Sequence, residues 1–247
     1  MIALLLALLT FAPAQAADCF GAYEAGEYAD AATCFEELEL AGNHNGHLLY
    51  DTGNAWYRAG DVGRAVLSYR RALLFLPRHG DVRANLVSAR GQSRDDLPPP
   101  DVRGPLGRTL LSPYDALSRS ELLLLGAFGW ALLMTGLALR LGRGVDLPLP
   151  ALVAAGILAG GGLIGWAARS YTLSAHPVGV VLDEEVTLRS GRDLQSVDLA
   201  RLHAGAELAV VEQAERWIQV SLSTGQRGWL PAGSVGLVQE LPDPALR

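Results

Sequence analysis

The sequence contains no lysine, and all 20 of its basic residues are arginine. This absence excludes lysine-dependent chemistry, such as a Walker-type phosphate loop or a Schiff base. The arginines form no basic run, and the formal net charge is -6. Nucleic-acid binding normally leaves a basic stripe on the surface, so the composition argues against it.

Cysteine and histidine are also scarce. Two cysteines are too few for a disulfide scaffold or a cysteine-rich zinc site, and five histidines leave little room for a metal enzyme. The chain has no G-x-S-x-G, H-E-x-x-H, phosphate-loop or EF-hand motif. We therefore expect no catalytic residues, no metal site and no cofactor, and predict that the protein is not an enzyme.

Hydrophobic residues, in contrast, are abundant: they make up 50% of 247 residues. The excess is concentrated in three uncharged blocks, residues 2–12, 122–139 and 147–168. The second and third blocks have 18 and 22 residues, about 27 and 33 Å as helices, which is enough to cross a hydrocarbon core of about 30 Å. We predict two transmembrane helices, joined by a cytoplasmic loop over residues 140–146 because its arginines follow the positive-inside rule.

The first block is too short to span a membrane. It is followed by Pro13 and the small-residue triplet Ala14-Gln15-Ala16, which is typical of a secretory signal and its cleavage site. We predict a signal peptide over residues 1–16, while the missing basic n-region leaves an uncleaved anchor open. Export of the N-terminus and two spans place both soluble regions outside the cytoplasm.

The second span has four glycines that form two overlapping G-x-x-x-G pairs: Gly156, Gly160, Gly161 and Gly165. This spacing allows another helix to approach the backbone closely. Glycine is also simply frequent in membrane helices. The sequence leaves open whether this face pairs within the chain or with a partner.

Two segments before the first span align at an offset of 34 residues, so that Gly26 corresponds to Gly60 and Phe35 to Tyr69. The second copy, residues 47–77, has a closing Pro77 and small residues, Gly53 and Ala65, where two antiparallel helices would press together. Trp56 and Tyr69 are expected to fill the space beside them. This pattern resembles the tetratricopeptide repeat, which has the same period. We predict about two and a half repeats over residues 17–90, with residues 81–90 as a capping helix.

The resemblance implies a concave binding face formed by the first helix of each repeat. Candidate contacts for a peptide or protein partner are His47, Tyr50, Asn54, Tyr57, Arg58 and Asn85. Asparagine and arginine suit a peptide backbone or a carboxylate, and tyrosine gives rigid contact area. A merely solvated helix face is the alternative for each of these residues.

The two cysteines, Cys19 and Cys34, fall on facing helices of the first repeat. A disulfide between them is expected if the compartment is oxidising, and it would stabilise the fold by about 3 kcal/mol. Two free cysteines packed as small apolar residues are the alternative.

A proline-rich linker occupies residues 91–121. It is predicted to be extended and to space the repeats from the membrane.

The region over residues 175–241 contains a run of short strands. It resembles a bacterial SH3 domain in its Arg-Ser-Gly turn at 189–191, its strands over 202–211 and 217–222, and its Gly-Trp-Leu-Pro run at 228–231. Such domains are small β-barrels that usually bind peptides or cell-wall material.

Two tryptophans, Trp217 and Trp229, are the candidate contacts of this module. Each could equally be a core residue, because tryptophan is often mostly buried.

The predicted fold class is therefore a multi-domain membrane protein with an N-terminal all-α array, two transmembrane helices and a C-terminal all-β barrel. This order, together with Gly53-Asn54-Ala55-Trp56-Tyr57-Arg58-Ala59-Gly60-Asp61, resembles the BatE-type proteins of bacterial aerotolerance operons. The resemblance implies a non-catalytic scaffold in the bacterial inner membrane, with both modules periplasmic. The partners that the resemblance implies are von Willebrand A-type membrane proteins and a MoxR-type AAA ATPase, with a role in envelope stress. The alternative function is a peptidoglycan-binding sensor that acts through the SH3-like module.

Overall fold

A computed structural model of the chain describes residues 12–100, 109, 112, 114–175 and 177–239. Most of the predicted signal peptide and the last residues of the predicted SH3-like module lie outside them. The chain divides into two compact units. One contains a helical array and a β domain, and the other contains two long apolar helices.

The helical array consists of α1 (Ala12–Ala25), α2 (Tyr28–Leu40), α3 (Gly46–Ala59), α4 (Val62–Phe75) and α5 (Gly80–Arg90). Each helix packs against the next in the chain, so the array is built from paired helices.

The turn between α3 and α4 shows why this pairing is encoded locally. Gly60 ends α3 with a φ of 86°, a left-handed conformation that glycine adopts without strain. Asp61 then begins α4, because its carboxylate accepts a hydrogen bond from the Arg64 backbone N–H.

The interior of the array confirms the predicted small-against-large packing. A Cβ at Gly53 would lie 2.7 Å from the Tyr69 ring, so only glycine lets α3 and α4 approach this closely. Tyr69, Ala65 and Phe35 are at most 1% exposed. The structure also joins Cys19 of α1 to Cys34 of α2 by a disulfide, which resolves the alternative left open by the sequence.

The apolar helices are α6 (Arg119–Arg143) and α7 (Leu149–Ala175), with 25 and 27 residues. Ser118 and Glu121 form a capping box that begins α6. Both helices are long and apolar enough to cross a membrane, which makes them two candidate spans. Because α6 continues to Arg143, the turn between them is shorter than the predicted loop.

The glycines divide between two faces of α7. Gly162 packs against α6, where an added Cβ would meet the backbone of Gly126. An added Cβ at Gly165 would meet the ring of Tyr114, whereas one at Gly160 would meet no described atom within 4 Å. The α6–α7 contact therefore uses Gly162, and Gly160 does not contribute to it.

The β domain is a seven-stranded antiparallel sheet with the order β3-β2-β6-β5-β4-β1-β7. Its strands are β1 (Val178–Val181), β2 (Glu185–Arg189), β3 (Asp198–His203), β4 (Glu207–Gln213), β5 (Trp217–Ser221), β6 (Arg227–Pro231) and β7 (Val235–Leu237). The sequence predicted one strand over residues 202–211, but these residues belong to two strands, β3 and β4. Gly205 separates them with a φ of 87°.

The β domain packs on the helical array. Val178, Val180 and Val238 belong to the same buried cluster as the array interior. A Cβ at Gly63 on α4 would lie 2.7 Å from the Val181 carbonyl oxygen, so the helix and β1 are in close contact. The two modules therefore share one hydrophobic core.

The start of the proline-rich segment follows this junction. Leu97 packs against the β-domain core, and the Ser93 hydroxyl donates a hydrogen bond of 2.9 Å to the Ala204 carbonyl. Residues 93–97 of the predicted linker contact the β domain, so this part is not a free spacer. The composition of the linker could not predict these contacts, because the residues it contacts are distant in sequence.

Candidate protein-binding site

Polar side chains form two hydrogen-bonded groups along α3, α5 and the residues just after α5. We call them together the amide row: Tyr50, Asn54, Tyr57, Asn85 and Gln92. Asn54 Oδ1 accepts hydrogen bonds from the Tyr69 hydroxyl at 2.9 Å and from Asn85 Nδ2 at 2.8 Å. Asn85 Nδ2 also donates to the Tyr50 hydroxyl at 3.3 Å. The row brings together four of the residues predicted from sequence: Tyr50, Asn54, Tyr57 and Asn85.

The hydrogen bonds of the two asparagines leave one donor nitrogen and one acceptor oxygen unused. Asn54 offers its Nδ2, and Asn85 offers its Oδ1; neither atom has a partner among the described residues. A carboxamide carries two N–H donors and one acceptor oxygen. The pair is suited to two backbone groups of an extended segment, with Asn54 donating to a carbonyl oxygen and Asn85 accepting from an N–H.

The row continues one helical turn further. Gln92 Nε2 donates a hydrogen bond of 2.7 Å to the Tyr57 hydroxyl. Tyr57 lies three residues after Asn54 on α3, so it remains on the face that carries Asn54. Gln92 lies two residues beyond the end of α5 and reaches Tyr57 from there.

The hydroxyl of Tyr69 is held in its neutral, donating form. Burial raises the pKa of this phenol well above its usual range. The neutral hydroxyl fixes the orientation of the Asn54 amide by donating to its oxygen.

Two predicted contacts form no hydrogen bond with the row. His47 is exposed, and its ring lies 5.9 Å from that of His79. Arg58 donates a 2.7 Å hydrogen bond to the Tyr28 hydroxyl and stacks 4.9 Å from the same ring. That hydrogen bond raises the pKa of the guanidinium, and Arg58 is engaged with α2.

The tryptophans of the β domain have different environments. Trp229 is only 8% exposed, and the Arg192 guanidinium covers its ring at 4.1 Å. Arg192 is itself held by Glu212 at 2.5 Å. Trp217 is half-buried. Trp229 thus offers little free surface, whereas Trp217 retains some.

The junction between the modules contains a cavity of about 480 Å³. The α3–α4 turn, the residues that follow α5 and two turns of the β domain line it: Ala59, Gly60, Asp61, Val62, Gln92, Arg94, Leu182, Glu184, His203 and Ala204. Gln92 therefore belongs both to the amide row and to the cavity wall.

Two residues of this site were missed at the sequence level. Tyr69 was interpreted as a packing residue, and its ring does pack on Gly53, but its hydroxyl belongs to the polar cluster. Gln92 lies beyond the end of α5 in the segment interpreted as a linker; its spacing of seven from Asn85 was the only available signal. Compared with known protein families and with curated proteins, the sequence matches none of them.

Proposed function

We propose that the protein is a non-catalytic membrane scaffold or adaptor that binds a partner protein in the groove between α3 and α5. The observation that carries this proposal is the amide row, in which Asn54 and Asn85 hold each other in position and leave a donor and an acceptor free. An ordered amide pair costs less conformational entropy on binding than two mobile side chains would.

The proposal treats the paired helices as tetratricopeptide repeats and the sheet as an SH3-like module. The 34-residue offset, the Gly53–Tyr69 packing and the helix pairing support the first assignment. In this assignment α5 is the first helix of a third repeat. The β domain packs on α4 and shares its hydrophobic core, which supports a stable array of only two and a half repeats.

The proposed location is the bacterial inner membrane, with both modules in the periplasm. The disulfide between Cys19 and Cys34 supports an oxidising compartment. The array and the β domain contact each other, which supports two crossings that return the chain to the same side. The partners implied by the family resemblance are von Willebrand A-type membrane proteins and a MoxR-type ATPase system.

Cell-wall binding by the β domain is the competing function. It would use Trp217 and Trp229 as stacking surfaces, but the Arg192–Glu212 pair covers Trp229. The polar groove offers more unused hydrogen-bonding capacity than this aromatic surface, so we favour the protein scaffold.

The test is an affinity purification of the full chain from membranes in mild detergent, with the tag at the C-terminus and its side of the membrane checked by protease access to spheroplasts. The informative variant is Asn54→Asp. It keeps the oxygen that accepts from Tyr69 and Asn85 but removes the free N–H donor and adds a charge facing the partner's carbonyl.

The matched control is Asn45→Asp, the same chemical change at the N-terminus of the same helix. Asn45 caps α3 by accepting from the Leu48 N–H, a role that aspartate also fills. We expect Asn54→Asp to reduce partner recovery about 10-fold or more, since an unmet buried hydrogen bond costs about 1–3 kcal/mol. Equal recovery with both variants would contradict binding in this groove, and recovery of cell-wall fragments instead of protein would favour the competing function.

A further inference from the structure

The amide row does not end within the helical array. Tyr57 and Gln92, joined at 2.7 Å, form its last pair. Two residues after Tyr57, Ala59 and then Gly60 line the junction cavity, and Gln92 lines it from the segment that follows α5. The amide row therefore reaches the cavity wall at Gln92.

The far wall of the cavity belongs to the β domain. Leu182 and Glu184 come from the turn after β1, and His203 and Ala204 come from the end of β3. This wall is held in place by the chain segment after α5: Asp95 accepts a 2.6 Å hydrogen bond from the His203 backbone N–H and lies 2.9 Å from His203 Nδ1.

We infer that the two modules form one composite site, in which an extended segment of the partner protein runs along the amide row and continues into the junction cavity, where β-domain residues contact it. This inference rests on the proposed function. The occupant is a peptide segment because the row presents the free Asn54 Nδ2 donor beside the free Asn85 Oδ1 acceptor, which suit the C=O and N–H groups of an extended backbone.

The cavity lining suits the polar continuation of such a segment. The side chains of Arg94 and Glu184 are 65% and 86% exposed, and they form an ion pair at 3.4 Å. A pair this exposed is weak, so each partner can be redirected to a ligand at small cost. Leu182 adds an apolar contact, while His203 is fixed by Asp95.

The experiment uses the full chain in its native membrane, with the photo-cross-linking residue p-benzoylphenylalanine replacing one residue at a time. Tyr57 tests the groove, Glu184 tests the β-domain wall of the cavity, and Val211 is the control. Val211 is 47% exposed on β4 and does not line the cavity. Adducts are identified by mass spectrometry, and each position is repeated in the Asn54→Asp and Asn45→Asp backgrounds.

We expect the same partner protein to be cross-linked from Tyr57 and from Glu184 but not from Val211. Asn54→Asp should lower both adducts in parallel, by about 10-fold, whereas Asn45→Asp should leave them unchanged. An adduct from Tyr57 without one from Glu184 would overturn the composite site and leave the proposed function intact.

An adduct from Glu184 that persists in Asn54→Asp would also overturn it, because the β domain would then have a separate partner. No adduct from Tyr57 would overturn the proposed function together with the composite site. Formation of the Cys19–Cys34 disulfide in each variant verifies that the array has folded.

Discussion

The Glu207 carboxylate of the β domain lies 2.6 Å from the Arg90 guanidinium at the end of α5. Arg70 of α4 approaches the other carboxylate oxygen at 2.8 Å, as an ion pair without hydrogen-bond alignment. Glu207 is 4% exposed, so both arginines depend on it for charge compensation. Burial lowers the pKa of Arg70, and the Glu207 carboxylate opposes that shift.

Removal of this carboxylate should separate the modules. We expect Glu207→Gln to destabilise the junction by about 3 kcal/mol, because it leaves two arginines facing each other without a counter-charge. The measurement is hydrogen exchange by mass spectrometry on the full chain in detergent, comparing the protection of β4 and α5.

Glu212→Gln is the control on the same strand. Glu212 pairs with Arg192, but both side chains are about half exposed, so its loss should cost about 1 kcal/mol or less. Equal loss of protection in the two variants would show that Glu207 does not hold the junction.

A second prediction concerns Glu39 on α2, whose carboxylate is 5% exposed. Burial raises the pKa of Glu39, and Arg71 at 3.9 Å lowers it less than burial raises it. A raised folded pKa means that this carboxylate favours folding below its unfolded pKa near 4.5, and that the contribution disappears as the pH rises through the folded pKa. Glu39→Gln should therefore stabilise α2 at pH 7 and have little effect at pH 4.

Hydrogen exchange of α2 and α4 at the two pH values, each compared with the wild type at the same pH, measures this difference. A variant that is less protected than the wild type at pH 7 would show instead that the Arg71 ion pair outweighs the cost of burial.

The sequence predicted those features that depend on local patterns. The glycine at position 53 and the aromatic at 69 follow from the repeat period, and the charge-free blocks predicted α6 and α7 because length and hydropathy decide them. The pair of Glu207 with Arg90 could not be predicted, because 117 residues and two apolar helices separate its members. The covering of the Trp229 ring by Arg192 could not be predicted either. The alternation of a strand places Trp229 on one face of the sheet but does not show which side chain packs on that face.

A third prediction concerns the disulfide between Cys19 and Cys34, which closes a loop with a sequence separation of 15. Loop-closure entropy predicts a stabilisation of about 3 kcal/mol for a loop of this size. Replacing both cysteines by serine should reduce the protection of α1 and α2, and a reducing agent should reproduce the effect in the wild type but cause no further change in the variant. Two free thiols in protein purified from native membranes would contradict the bridge.

The contact between the apolar helices provides the last prediction. An added Cβ at Gly162 would meet the backbone of Gly126, whereas one at Gly160 would meet no described atom within 4 Å. Gly162→Val should push α6 and α7 apart at a cost of about 1–3 kcal/mol, which is typical of overpacking at a close contact. Gly160→Val is the matched control, because it adds the same side chain to the same helix only two residues away. Unfolding of the detergent-solubilised chain by increasing SDS, followed by circular dichroism, compares the two, and only Gly162→Val should shift the midpoint downward. An equal downward shift with Gly160→Val would contradict a helix contact made through Gly162. If Gly160→Val instead abolishes partner recovery without unfolding the protein, the face of α7 that carries Gly160 contacts a partner.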